Sequence, residues 1–205
     1  ITAIGSVVLQ TAVNTLGSMA VAAVTAGTKV IMFFCCPFDA LGGTMATYAG
    51  QNVGAGKFDR IKQGLKVATL SGFIYSVAAA LILIFFGKSI SLLFMDSDQT
   101  EILSQVHFFL IVNSLGYPLL TLVNTVRFSI QGMGFSMFAV IAGICEMIAR
   151  AAVGFGLVPV FGYNAVCFAS VLAWVAADIF LIPAFCYCLK KLKNNSPDAV
   201  PCAAE

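Results

Sequence analysis

From Val67 to Gly87 the chain runs 21 residues without a charged side chain, and Lys66 and Lys88 close the run at its two ends. Wound as a helix at about 1.5 Å per residue, such a stretch crosses roughly the 30 Å of hydrocarbon in a bilayer. Charges and Gly/Pro punctuation mark out six hydrophobic segments, at about 1–16, 19–49, 64–86, 102–124, 135–159 and 164–189. The first is short for a span, and the second is long enough to tilt or kink. Only 10% of the residues are charged and 60% are hydrophobic, whereas soluble domains carry about 25% charged residues. Twenty charges cannot cover that much apolar surface in water, so the expected fold is all-α, a polytopic membrane helix bundle. Disorder is excluded on the same ground. A net charge of +2 with no basic run beyond a short tail excludes a nucleic-acid partner.

Lys and Arg in short connections set the orientation of such a bundle. Lys57, Arg60, Lys62, Lys66, Arg127, Lys190, Lys191 and Lys193 fall on one side, against Lys88 with Asp96, Asp98 and Glu101 on the other. The prediction is a multi-pass protein of the plasma or inner membrane, with the 50–66 and 127–135 loops and the C-terminus cytoplasmic. Residues 1–190 form the transmembrane lobe, and the polar, proline-containing tail 191–205 is expected to be disordered. Ile1 stands in an apolar segment with no basic n-region, which is not a signal peptide and reads as a start inside a truncated first helix. Cys35, Cys36, Cys145, Cys167, Cys186 and Cys188 lie in apolar stretches without CxxC spacing and read as small hydrophobes.

The best-defined string is Gly50-Gln51-Asn52-Val53-Gly54-Ala55-Gly56-Lys57-Phe58-Asp59-Arg60. Gln51 and Phe58 occupy places where a Walker A loop needs Gly and Ser or Thr, and Asp59 stands where a dinucleotide fingerprint needs its third Gly. The string reads first as a helix C-cap and tight turn whose basic residues meet anionic headgroups, ahead of a direct part in transport. Ionisable residues inside a membrane cost roughly 2.5–3.5 kcal/mol each at a helix centre and are functional candidates for that reason. The chain has five: Lys29, Asp39, Glu146, Arg150 and Asp178. Glu146 and Arg150, four apart, share a helix face, and Asp178 lies mid-way along the next segment. The expectation is a buried cluster with Arg150 shared by two carboxylates, serving either as a proton-exchanging core or as a static lock between helices.

Asp39 follows Pro37 and precedes Gly42-Gly43, so that stretch is expected to bend. Lys29 is about 15 Å from it along a helix, too far for a simple pair, and either faces a watery cavity or snorkels. Gln10, Asn14, Asn113, Tyr117 and Asn124 read either as interhelical glue or as the wall of a wet cavity. Pro118 and Pro183 are candidate hinges, and His107 reads as an interface residue ahead of a proton relay. HExxH and GxSxG are missing, and one histidine cannot build a metal site. Neither an enzyme nor a cofactor is expected.

Leu16-Gly17 with Ala20–Ala23, the loop Gly50–Gly64, Ile130-Gln131-Gly132-Met133-Gly134, Ala142-Gly143 ahead of Glu146 and Arg150, and Ala173-Trp174 carry a resemblance over residues 1–190. The chain resembles the C-terminal half of a multidrug and toxic compound extrusion (MATE) transporter. The resemblance implies one six-helix lobe of a two-lobed, twelve-helix exporter around a central cavity. It implies antiport of amphipathic, often cationic organic compounds against H⁺ or Na⁺ by alternating access. The implied partners are those small substrates, the lipid bilayer and the N-terminal lobe of the same full-length chain. Some branches place cation-binding carboxylates in the first and fourth helices of this lobe. Here the first helix has Gln10 and Asn14 but no acid, and the fourth has none below Glu101. Coupling then falls to an N-terminal lobe or to Asp39, Glu146 and Asp178. The alternatives are a lipid or lipid-linked oligosaccharide flippase of related fold, which calls for more basic residues facing the cavity, and a non-transporting membrane scaffold.

Overall fold

The computed structural model describes residues 2–93 and 100–194. Asp96, Asp98 and tail residues 195–205 lie outside them. The elements are α1 (Thr2–Asn14), α2 (Ser18–Gly54), α3 (Phe58–Ser91), α4 (Thr100–Leu115), α5 (Tyr117–Gly132), α6 (Ser136–Ala152), a π-helical turn (Val153–Leu157), α7 (Val158–Phe161) and α8 (Tyr163–Asn194). Among the described residues there is no strand. Four helical stretches are long and apolar enough to cross a membrane: α2, α3, the run Ser136–Phe161, and α8. α4 and α5 pass the same test together as a pair bent by 50°, and α1 is a shorter apolar helix.

Several boundaries differ from the sequence reading, α3 among them, which runs from Phe58 to Ser91 against the expected 64–86. The expected continuous fourth segment breaks at Gly116, where the backbone N–H turns to the Asn113 carbonyl at 3.0 Å. Pro118 has no N–H to offer Ser114 one turn back, so the ladder is already weakened there. A Cβ on Gly116 would lie 2.8 Å from Val171 and 2.9 Å from Trp174, so glycine lets α8 press into the bend. α5 then continues to Gly132, and the expected 127–135 loop shrinks to a turn over 133–135. α2 passes unbroken through Pro37 and runs on to Gly54, which makes Gly50, Gln51, Asn52 and Gly54 its last turn and no part of a loop. α8 likewise reaches Asn194, so residues 191–194 of the expected tail are helical.

The glycine strings at the two reversals have one physical explanation. In the first, Gly56 adopts φ +69°, its N–H meets the Val53 carbonyl at 3.0 Å, and the Lys57 N–H reaches the Asn52 carbonyl at 2.8 Å. In the second, Gly134 adopts φ +91°, its N–H meets Gln131 at 2.9 Å, and the Phe135 N–H reaches Ile130 at 3.1 Å. Both are Schellman caps, which satisfy the orphan carbonyls of a helix end and need a residue in the left-handed region. Lys193 Nζ bonds Asp59 Oδ1 at 2.6 Å, and the Lys191 ammonium sits 5.7 Å from the Phe135 ring centroid. Both reversals and the end of α8 therefore share one end of the bundle, with Lys57, Arg60, Lys62, Lys66, Lys190, Lys191 and Lys193.

α5 runs through the middle, packed on α2, α3, α6 and α8. Thr121, Thr125 and Ser129 recur along it at four-residue spacing, all buried, and each hydroxyl bonds the carbonyl one turn back. The first two also face α3, Thr121 meeting Ser76 at 3.1 Å and Thr125 meeting Thr69 at 3.5 Å. Small residues allow the close approach that van der Waals packing in a membrane depends on. Gly72 of α3 receives the Thr121 methyl and Gly42 of α2 receives the Phe128 ring.

At Gly132 backbone meets backbone, because a Cβ there would lie 2.1 Å from the Ala46 carbonyl oxygen. Gly132→Val is therefore expected to cost about 1–3 kcal/mol or more by overpacking. Gly43→Ala, where nothing lies within 4 Å, is expected to be neutral or to gain about 0.5–1 kcal/mol from backbone entropy. Melting curves of the detergent-solubilised variants check both signs.

Candidate functional site

Two polar constellations stand out, one inside the bundle and one on its surface. The inner one is assembled by α5, α6 and α8. Glu146 is buried, with only 3% of its side chain exposed, and it receives two guanidinium groups. Arg127 of α5 donates through Nη2 to Glu146 Oε1, and Arg150 Nη1 lies 3.4 Å from Glu146 Oε2. Asp178 of α8 is buried at 5% exposure, and neither of its carboxylate oxygens has a hydrogen-bond partner. Arg127 and Glu146 are the charged groups of α5 and α6 near enough to act on it. Arg127 Nε is also buried and unpartnered. An acceptor and a donor thus stand unsatisfied in one charge network, although each unmade bond costs about 1–3 kcal/mol or more for charged groups.

This corrects the expected cluster. Arg150 is not shared by two carboxylates: it serves Glu146 alone, and the shorter contact to Glu146 comes from Arg127. Arg127, expected at the cytoplasmic end of the fourth segment, lies inside α5, five residues before that helix ends. The signal that could have placed it there is local. Val126 and Phe128 flank it, and Thr121, Thr125 and Ser129 run past it at helical spacing, a pattern that continues a span and does not close one.

The outer constellation lies on α2. Thr25, Thr28, Lys29, Asp39, Thr44 and Thr47 are exposed along its length, with Met32 and Phe33 among them. The hydroxyls of Thr25, Thr44 and Thr47 bond their own helix one turn back, which leaves Lys29 and Asp39 as the strongly polar groups. Asp39 is held from inside the bundle, Asn124 Nδ2 of α5 donating to Asp39 Oδ1 at 2.9 Å. Beside it α1 exposes Thr11 and Asn14, and Thr15 follows in the turn, with Gln10 Nε2 on Asn14 Oδ1 at 3.2 Å. α3 is the contrast: Val67, Leu70, Ile74, Val77, Leu81 and Phe85 make its exposed side. One face of the bundle is therefore polar and charged where another is suited to lipid.

The remaining candidates divide. Asn113 and Tyr117 are buried in the core and line no surface: Asn113 Nδ2 bonds the Phe109 carbonyl at 2.9 Å and the Cys167 carbonyl at 3.4 Å, tying α4 to α8. Asn124 is buried too and acts through Asp39. Gly50, Gln51, Asn52, Gly54, Gly56 and Arg60 belong to the Schellman-capped reversal, where the buried Asn52 amide bonds the Tyr48 carbonyl at 2.8 Å. His107 Nε2 lies 3.0 Å from the Ile84 carbonyl and joins α4 to α3. No group of three or more His, Cys, Asp or Glu that could hold a metal occurs among the described residues.

The family model MatE matches residues 1–155. Among solved structures, the chain is similar to an inward-facing multidrug resistance MATE family transporter of the MOP superfamily, at 17% identity and TM-score 0.77, over 89% of this chain and 41% of that one. It is also similar to a MOP superfamily transporter from Pyrococcus furiosus Vc1 (DSM3638), at 16% identity and TM-score 0.71, over 87% of this chain and 40% of that one. That second structure is described by a reversed polarity of its binding pocket, suggesting a different function. At these identities the likeness is one of fold, and the chain spans about two fifths of each structure. No curated protein matches.

Removing one partner of a buried ion pair leaves an uncompensated charge. Arg127→Met is expected to destabilise the protein by about 3–5 kcal/mol. Arg150→Met is expected to cost less, since its contact with Glu146 is longer. Thermal unfolding of the two variants side by side, in one detergent, gives the order.

Proposed function

Because the chain belongs to the MatE family, we propose that it forms one lobe of a secondary active exporter that antiports amphipathic, often cationic organic compounds against H⁺ or Na⁺ by alternating access. The carrying observation is the charged face of α2. Lys29 and Asp39 lie far from the helix ends, and such groups are expensive against lipid. A second lobe and a water-filled cavity between the two give them a place, with an N-terminal lobe of the same full-length chain as the partner. Asp39, fixed by Asn124, is the anchor for a cationic centre, and Met32 and Phe33, exposed about two turns earlier on the same helix, supply the adaptable apolar contact that varied ligands need. The end that gathers Lys57, Arg60, Lys62, Lys66 and Lys190–Lys193 faces the cytoplasm of a plasma or inner membrane.

The Pyrococcus furiosus relative, with its reversed pocket polarity, makes a flippase for phosphate-bearing lipids the second reading. Against it, Arg127 and Arg150 are both occupied by Glu146, which leaves Lys29 as the basic group on the exposed middle of α2 among the described residues.

In a host lacking its own exporters, the full-length gene product is expected to lower ethidium accumulation. The effect should collapse with a proton uncoupler or on removal of sodium, which names the ion. Unchanged accumulation despite verified membrane insertion sends the reading to the flippase or the scaffold. Asp39→Asn is expected to raise the half-saturating ethidium concentration by about tenfold, as losing about 1.4 kcal/mol of binding requires, with surface expression unchanged.

A further inference from the structure

Asp178 poses a physical problem that the exporter reading does not use. Its carboxyl group is buried between helices with no bond to either oxygen. A buried carboxylate left ionised and unpaired costs several kcal/mol. α5 brings Arg127 and α6 brings Glu146 and Arg150. α1, the π-helical turn and α7 carry no ionisable side chain with a charge to offer. α4 carries Glu101 in its exposed first turn and His107, which is engaged with α3. α3 meets the far end of α8 through Asp59 and Lys193. Among the described residues, the cation with an unused buried donor is Arg127, whose Nε has no partner.

We propose that Asp178 is a proton-carrying site of this lobe, and that Arg127 is the switch that loads and empties it. The inference rests on the exporter reading for its link to transport. In the arrangement seen, Arg127 and Arg150 both serve ionised Glu146, and Asp178 holds a proton. When Arg127 turns to Asp178, the carboxyl O–H bond breaks, the proton leaves to water and Asp178 becomes the guanidinium's counter-ion. Glu146 stays ionised on Arg150. The reverse move takes one proton up, so each move changes the charge of the cluster by one, the full cycle restores it, and no carboxylate is left bare in either state.

α5 couples this switch to the surface. Asn124 lies three residues before Arg127, about 4.5 Å along the axis, and it is Asn124 that holds Asp39 on the exposed face of α2. A cation drawn to Asp39 bears on the same helix that aims Arg127.

The test uses the full-length transporter in proteoliposomes. Infrared spectroscopy at neutral pH is expected to show the carbonyl band of a protonated carboxyl, lost in Asp178→Asn and kept in Glu101→Gln. Glu146→Gln frees Arg127 for Asp178, so the band is expected to disappear there too, with Asp178 itself untouched; this arm stands even where Asp178→Asn fails to fold. In transport, Asp178→Asn is expected to lose ethidium accumulation driven by a pH gradient and to keep ethidium exchange, which needs no proton.

The proposal is overturned by absence of the band from the wild type, by its survival in Asp178→Asn, or by its persistence in Glu146→Gln. It is equally overturned by gradient-driven accumulation in Asp178→Asn at the wild-type level, by joint loss of exchange and accumulation, or by wild-type transport that follows sodium and ignores the pH gradient. A wild type with the expected bands that moves no ethidium at all supports the proton site and counts against the exporter reading.

Discussion

Glu146 is enclosed by α5, α6 and α8, where water cannot solvate it, and its charge has to be met by protein. Two guanidinium groups meet it, from α5 and from its own helix, and this requirement ties the rotation of α5 to α6. If α5 were rotated by one residue, about 100°, Arg127 would leave the interior and Glu146 would keep only its weaker contact. The same rule, that polar groups in a membrane must be satisfied from within, accounts for the hydroxyls of Thr121, Thr125 and Ser129 bonding their own backbone. It accounts as well for Asn113 bridging two helices. Among the described residues Asp178, Arg127 Nε, the Tyr117 hydroxyl and Gln105 Oε1 are exceptions, and the first two make the cluster chemically interesting.

α5 carries a disproportionate share of the architecture. Its Thr121 fits the space left by Gly72, its Phe128 fits Gly42, and its last residue, Gly132, rests against the Ala46 backbone. On that rigid contact surface it also presents Asn124 towards the exposed face and Arg127 towards the buried cluster. A helix packed so closely on one side can still shift its long side chains on the other. Close packing and a swinging guanidinium are therefore compatible on one element.

The exposed faces sort by chemistry. α3 offers valine, leucine, isoleucine and phenylalanine, which gain nothing from water and suit hydrocarbon. α2 offers threonines, one lysine and one aspartate over a length that crosses the bilayer, and α1 continues that character with Gln10 and Asn14. The chain spans about two fifths of the transporters it resembles in fold.

The amino-acid sequence by itself determined that the chain is an all-α membrane bundle, because hydrophobic run length and charge poverty are local properties that no tertiary arrangement alters. It determined the family as well, through the glycine strings, whose Schellman geometry depends only on residues close in sequence. It also identified Glu146, Arg150, Asp178 and Asp39 as out of place in hydrocarbon. What it could not supply was partnership. Arg127 pairs with Glu146 nineteen positions on, and Asn124 with Asp39 eighty-five positions back. Such pairs are chosen by the azimuth at which one helix meets another, and side-chain volumes at Gly42, Gly72, Gly116 and Gly132 set that azimuth. Whether Asn113 and Tyr117 faced a cavity or the core, and whether Arg127 closed a span or lay within one, were decided by that packing alone.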